Sequence, residues 1–396
     1  MPFTSGRGII RMRILMLNNE FPPFGGGTAT VNLMLLREFA QMGGTAVDLV
    51  TTGPNPGIEE FAPGIKIHRL PSRQRNPHHA EGRDLLAYAS RAVPYSLRLH
   101  RARPYAVCIA WSAVPAGAVA LALRARCRLP YLVRIGGSDI PGHEARYRWA
   151  YLVLTPVIRQ IWRHAERNIV KCRVETEEVR RVDARVPLAV IPNGVDLSAF
   201  IPAVAELAPG PFRFVIVARL IEHKGHRLLF SALRQLVAEG LDVALDVVGS
   251  GDSEPAFKAH VRELGLDARV NFTGAVPREL VATFYRTAQA FVLPSHAEGM
   301  SVSTLEAMAS GLPLIITRTG GTEELLAEGQ NGYSFAVGDE AALTEHMRRL
   351  ARDPAHARAL GAASRQRAET FSWSNAAKAF LELAQSADRT TRGTTH

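Results

Sequence analysis

The amino-acid sequence predicts an α/β protein made of two Rossmann-like, doubly wound domains. Short apolar runs alternate with helical patterns from end to end, which is how βαβ units and parallel sheets read in a sequence. The alternation comes as two series, divided by a stretch with three prolines at 196–211. A length of 396 residues accommodates two or three domains of about 100–200 residues.

In the first series, the run at 14–17 leads through the glycine-rich loop 25–27 into a helix. Its Val31, Leu35, Phe39 and Met42 share one face, and Gly43 ends it. Strands follow at 46–50, 65–70, 105–110, 131–135, 168–172 and 188–191. Loops are expected at 54–64 and 71–83. The second series has strands at 212–218, 243–249, 269–274, 290–294 and 313–317. Helices are expected near 225–239, 254–265, 277–288, 301–310 and 340–351. Leu229, Leu233 and Leu236 give the first of these a buried stripe. The expected division is a first domain over 1–195, a linker over 196–211, a second domain over 212–370, a helix over 371–387 and a disordered tail over 388–396. Strand ends of the two domains should face each other across a ligand cleft.

Composition narrows the function. Hydrophobic residues make up 47% and charged residues 21%, which excludes a disordered chain. Three cysteines without a CxxC pair argue against a disulfide or zinc framework and suit a reducing, cytoplasmic compartment. Tyr105 to Leu123 carries no charge over its length, but Ser112, Pro115 and Gly117 interrupt it. It reads as strand, turn and helix rather than a membrane span.

The net charge of +10 is unevenly spread: residues 1–200 hold 27 Lys and Arg against 15 Asp and Glu. The first half should therefore meet something anionic. Arg91, Arg98, Arg101 and Arg103 interleave with Val93, Tyr95, Leu97 and Leu99; Arg146, Arg148, Arg159 and Arg163 interleave with Trp149, Leu152 and Trp162. Peripheral contact with an anionic membrane, at its inner face, is the expectation, and nucleic acid is not expected as a partner.

Neither glycine-rich loop completes a dinucleotide fingerprint. Gly25-Gly26-Gly27 continues to Thr30 where a third glycine belongs, and Gly249-Ser250-Gly251 continues to Glu254. The second half is more specific. Arg219 and Lys224 lie on the loop after its first strand, spaced to hold a diphosphate together. Glu298 follows the strand at 290–294, and Glu306 lies on the next helix, which Ser301 or Ser303 can cap. That helix start sets free N–H groups and a positive dipole end beside two carboxylates.

Taken with the segment 191–196 (IPNGVD) and the glycine loop, in this order along the chain, these motifs resemble the family 4 glycosyltransferases of the GT-B fold. Phe371-Ser372-Trp373 resembles the start of that family's returning C-terminal helix. The resemblance implies retaining transfer of a sugar from a nucleotide-diphosphate sugar to an acceptor hydroxyl, the acceptor being a glycan or lipid-linked. Arg219 and Lys224 would neutralise the leaving diphosphate, and Glu298 would act at the sugar. Donor contacts would further come from Gly26, Gly27, Asp139, Gly249, Val276, Gly299, Met300, Ser301 and Val302, with Glu306 at the ribose. No D-x-D occurs, so no metal and no cofactor beyond the nucleotide sugar are expected. One departure stands out: relatives with H-G-S-D carry a histidine where this chain has Gly136. A nucleotide-sugar epimerase on the same scaffold and a non-catalytic nucleotide-sugar binder are the alternatives.

Overall fold

The computed structural model describes residues 12–72, 81–137, 139–142, 148–203 and 209–393, apart from the side chains of Arg148, Arg278 and 390–393. Ser138, Arg146 and most of the expected loop 71–83 lie outside the described residues. The chain divides into two units, one of 1–192 with 373–396 and one of 193–372.

The first unit runs β1 (Met12–Leu17), α1 (Gly27–Met42), β2 (Thr45–Gly53), β3 (Gly57–Ala62), β4 (Ile65–Pro71), α2 (Gly82–Ala102), β5 (Val107–Trp111), α3 (Ala118–Cys127), β6 (Tyr131–Arg134), α4 (Arg148–His164), β7 (Arg167–Val170), α5 (Arg173–Val182) and β8 (Leu188–Val190). Its sheet has the order β3-β4-β2-β1-β5-β6-β7-β8. All neighbours are parallel except β3, which pairs antiparallel with β4 at the edge. The sequence reading expected a loop where β3 lies. Gly57–Ala62 (GIEEFA) is exposed over its first four residues, so it carries neither an alternation nor an apolar run to betray a strand. The uncharged stretch 105–123 folds as β5, a kinked turn and α3. Among the described residues, no helix is long and apolar enough to cross a membrane.

Asp48 stands inside this sheet with three donors around one carboxyl. Arg13 Nη2 lies at 2.7 Å, Tyr105 Oη at 2.6 Å and His68 Nε2 at 3.0 Å, while His68 Nδ1 meets Tyr95 Oη at 2.9 Å. Burial pushes the Asp48 carboxyl up, but the bonds from His68 and Tyr105 and the charges of His68 and Arg13 outweigh it and hold its pKa below the ordinary value. A depressed carboxylate contributes stability above the unfolded pKa of about 4 and loses it as pH falls through the lower folded value. Asp48→Asn should therefore cost about 3 kcal/mol near neutral pH, as breaking a buried pair does, with the difference shrinking in acid. Urea unfolding checks this, because all four tryptophans (111, 149, 162 and 373) belong to the first unit and their fluorescence follows it alone.

The second unit runs β9 (Phe212–Val217), α6 (His226–Ala238), β10 (Val243–Val248), α7 (Glu254–Glu263), β11 (Val270–Gly274), α8 (Arg278–Thr287), β12 (Ala290–Leu293), α9 (Val302–Ala309), β13 (Leu314–Thr317), α10 (Thr322–Leu325), β14 (Gly332–Phe335), α11 (Glu340–Arg352) and α12 (Pro354–Ala368). Its sheet is parallel throughout, in the order β11-β10-β9-β12-β13-β14. Leu229, Leu233 and Leu236 are fully buried, as the stripe predicts.

Two expectations need correction. The segment 196–211 is not a free linker at its start: Val195 and Phe200 are buried in the second unit's core. Arg365 Nη1 donates to the carbonyls of Phe200 at 2.8 Å and Ala309 at 2.7 Å, pinning the segment down. Prolines here mark irregular backbone rather than freedom. The final helix, α13 (Trp373–Gly393), also continues through residues 388–393, which the sequence reading gave to a disordered tail. Ala376, Ala377, Phe380, Ala384 and Ala387 bury its inner face, and Phe380 stacks on Trp111 of the first unit. Once nucleated by that face, a helix extends at little cost through polar residues.

Candidate functional site

In the second sheet the strand order reverses between β9 and β12, so the loops leaving these two strands form a switch point where open α/β sheets bind ligands. Arg219 and Lys224 fall on the first of those loops, and Glu298 to Ser301 on the second. After β9, Leu220 N–H donates to the Ser250 carbonyl at 2.9 Å and Ala218 N–H to the Val248 carbonyl at 3.1 Å, which fixes the loop against β10. Gly249 has φ +136°, and a Cβ there would lie 2.1 Å from the Ala218 carbonyl oxygen. Gly249 thus lets two backbones approach closely, a requirement that holds whether or not its backbone also meets a donor.

Arg219 is exposed on this loop and makes no side-chain bond among the described residues. Lys224 is held: its Nζ lies 2.5 Å from Glu298 Oε1, with both side chains about one-sixth exposed. Ser295 Oγ, fully buried, donates to the same Glu298 oxygen at 2.7 Å. Gly225 has φ +73°, and a Cβ would lie 2.0 Å from the Pro294 carbonyl oxygen, so only glycine lets the Lys224 loop meet the end of β12. Beneath the loop, buried His226 stacks on Phe257 at 4.8 Å; burial first, then the Lys224 charge, lowers its pKa to about 4 and keeps the ring neutral.

The α9 amino end completes this side. Ser301 Oγ accepts the Thr304 N–H at 3.3 Å, the cap foreseen from the sequence. The remaining amides of the first turn point out of the helix with its positive dipole end. Met300 is anchored from behind, where Asn193 Nδ2 donates to its carbonyl at 3.0 Å. Gly320 and Gly321 press on the same segment: Cβ atoms there would lie 2.3 Å and 2.4 Å from the carbonyls of Glu298 and Gly299. Glu306, one turn into α9, is buried, and Tyr285 Oη donates to its Oε2 at 3.3 Å. Val276 follows β11, half-buried against the core of the same unit.

The sequence reading missed the supports. Asn193 lay in the quoted 191–196 motif without a role, whereas Ser295 and Tyr285 carry no signal of their own. Among the described residues no three His, Cys, Asp or Glu side chains cluster as a metal centre requires.

The first unit holds Gly26, Gly27 and Asp139. Gly26 and Gly27 open α1, and a Cβ on either would meet nothing within 4 Å, so this backbone is accessible. Asp139 is spent internally. Its Oδ1 accepts the N–H groups of Gly136 at 2.8 Å and Gly137 at 3.0 Å, and its Oδ2 accepts that of Ala113 at 2.7 Å. The carboxyl is buried and joins the 136–137 backbone to that of Ala113. Arg134 is likewise internal, donating to the Ile191 carbonyl at 2.6 Å and lying 5.8 Å over the Phe380 ring. It does not stand in for the histidine absent at Gly136.

Two doubly wound α/β units, the second with Arg219 and Lys224 on one switch-point loop and a helix amino end after the other, have the architecture of the GT-B fold. A group 1 glycosyl transferase model matches residues 199–367, and a glycosyl transferase 4-like domain model matches residues 26–194. The chain is 27% identical to glycogen synthase from Mycobacterium tuberculosis over 404 residues, covering 96% of this chain and 95% of that protein. Sucrose-phosphate synthase from Thermosynechococcus elongatus is similar in structure, with a TM-score of 0.83 and 24% identity over 95% of this chain and 99% of that one. HepE from Anabaena, in complex with UDP-glucose, gives a TM-score of 0.72 and 19% identity over 95% of this chain and 100% of that one. The chain belongs to the family 4 glycosyltransferases of the GT-B fold.

Proposed function

We propose that the chain transfers a sugar from a nucleoside-diphosphate sugar to an acceptor hydroxyl, with retention at the anomeric carbon and without a metal ion. The observation that carries the donor reading is the placement of Arg219 and Lys224 on the loop after β9 and of Glu298 and the α9 amino end after β12, with Lys224 paired to Glu298. As the glycosidic bond to the diphosphate breaks, negative charge grows on the leaving oxygens. Arg219, Lys224 and the amides of Gly299 to Val302 would meet that charge in a preorganised way, which is where electrostatic catalysis is strongest. These groups compensate the diphosphate without a cation. Glu298 would accept hydroxyls of the donor sugar and Glu306 those of the ribose. HepE, a structural neighbour, binds UDP-glucose, which supports a nucleotide sugar as donor. The resemblance of the motifs supports retention. The acceptor is a glycan or a lipid-linked saccharide, met at the basic first unit.

Gly136 gives the second reading, a binder without turnover, its one foothold. Incubating the wild-type protein with UDP-, GDP- and ADP-sugars in the presence of a chelator separates the two. Release of free nucleotide with a new glycoside, whose anomeric proton keeps the donor's configuration by NMR, is the expected result. Binding without turnover of any donor would favour the second reading, and an epimerised donor would mean a different enzyme.

A further inference from the structure

Among the described residues, one helix face presents a stripe of large, mostly exposed apolar side chains. On α4, Trp149 is 67% exposed, Leu152 69%, Val153 75% and Val157 45%. Their spacing, i, i+3, i+4 and i+8, puts them on one face of the helix. The opposite face is ordinary core: Tyr151, Ile158, Ile161 and Trp162 are buried. Large exposed apolar side chains elsewhere among the described residues are scattered, and single ones need no explanation. A contiguous stripe does.

The surroundings say what covers it. From Trp149 to Ala165 the sequence has no acidic residue, and the apolar stripe passes into exposed Arg159 and Arg163. Arg159 Nε donates to the Val182 carbonyl at 3.1 Å, and Arg163 Nε meets the buried Asp183 carboxylate at 2.5 Å. These two contacts bring the end of α5 alongside α4, and with it the exposed Arg180, Arg181 and Arg185. An apolar stripe edged by a cluster of arginines is the pattern of a helix lying in the plane of an anionic bilayer, apolar face down and guanidinium groups at the phosphates.

We propose that α4 docks the first unit on anionic membrane by partial burial of Trp149, Leu152, Val153 and Val157, with the α4–α5 arginines at the lipid headgroups. The surface is narrower than interleaved basic and apolar residues in the sequence suggest. Trp162 is fully buried, and Val93, Tyr95, Leu97 and Leu99 on α2 are half-buried against the core. The contact is also more than electrostatic, so binding should weaken in high salt without vanishing. It stands independently of the donor chemistry.

The test uses the full chain with vesicles of phosphatidylcholine alone or with roughly one-third phosphatidylglycerol. Wild type should sediment much more with the mixed vesicles than with the neutral ones. Trp149 is the one exposed tryptophan of four, so its emission should shift to the blue on binding. Leu152→Ser with Val153→Ser should lower the partition coefficient by at least about ten-fold, the scale of losing one buried apolar side chain. Arg180→Glu with Arg181→Glu should lower it similarly, mainly in low salt. Both variants change exposed side chains and should keep wild-type melting and nucleotide binding, which belongs to the second unit. Equal binding to neutral vesicles, an unshifted Trp149, or wild-type binding by the serine variant would overturn the proposal. So would a stable dimer that the serine variant dissociates, because the stripe would then be covered by a second copy.

Discussion

Arg219→Ala and Lys224→Ala should each lower turnover of the nucleotide sugar by about 10²- to 10³-fold, the scale for deleting one preorganised charge stabiliser. The two should differ in detail. Arg219 is exposed and has no side-chain partner among the described residues, so its loss removes a charge and leaves nothing stranded. Lys224 neutralises Glu298 in the free protein, so its loss also leaves a carboxylate with only Ser295 for company. Melting of the Lys224 variant should drop slightly more than that of the Arg219 variant. Steady-state kinetics at saturating donor reads the main effect, because the stabilisation develops with the leaving group and appears in kcat. Near-normal kcat in both variants would remove the pair from the site.

Glu306→Ala should weaken binding of the bare nucleoside diphosphate by about ten-fold or more, the usual worth of a hydrogen bond to a charged group. The carboxylate is buried and oriented by Tyr285, so its bonds to ribose would exist before and after transfer alike. Glu298→Ala should behave in the opposite sense. In the free protein Glu298 is bonded to Lys224, the lysine proposed to meet the diphosphate. Removing it frees Lys224, so bare nucleotide should bind as well as to wild type or better, while the intact sugar donor loses affinity and turnover. Calorimetry with nucleotide and nucleotide sugar distinguishes the two carboxylates, and equal losses in both titrations would break the assignment.

Much of this was legible because strands of a parallel sheet are buried on both faces and read as unbroken apolar runs. That is why β9, β10, β12 and β13 stand out. β3 escaped because it is an exposed edge strand, and β14 because Gly332–Phe335 is four residues long with a polar Ser334 inside. The polar site followed the same logic. Arg219, Lys224, Glu298 and Glu306 could be picked by charge and spacing on loops after strands. The packing roles of Asp139 and Gly249 were not legible, because a carboxylate clamping backbone amides and a glycine at a backbone crossing look in sequence like groups that meet a ligand. Ser295 and Tyr285 support the two glutamates from β12's exit and from α8, and only the fold brings them there.

The most direct test of the donor site is a crystal structure of the protein with a nucleoside diphosphate. The account predicts the β-phosphate between Arg219 and Lys224 at the amino end of α9, the ribose hydroxyls on Glu306, and Lys224 released from Glu298. A nucleotide bound away from these residues, with the Lys224–Glu298 pair intact, would contradict it.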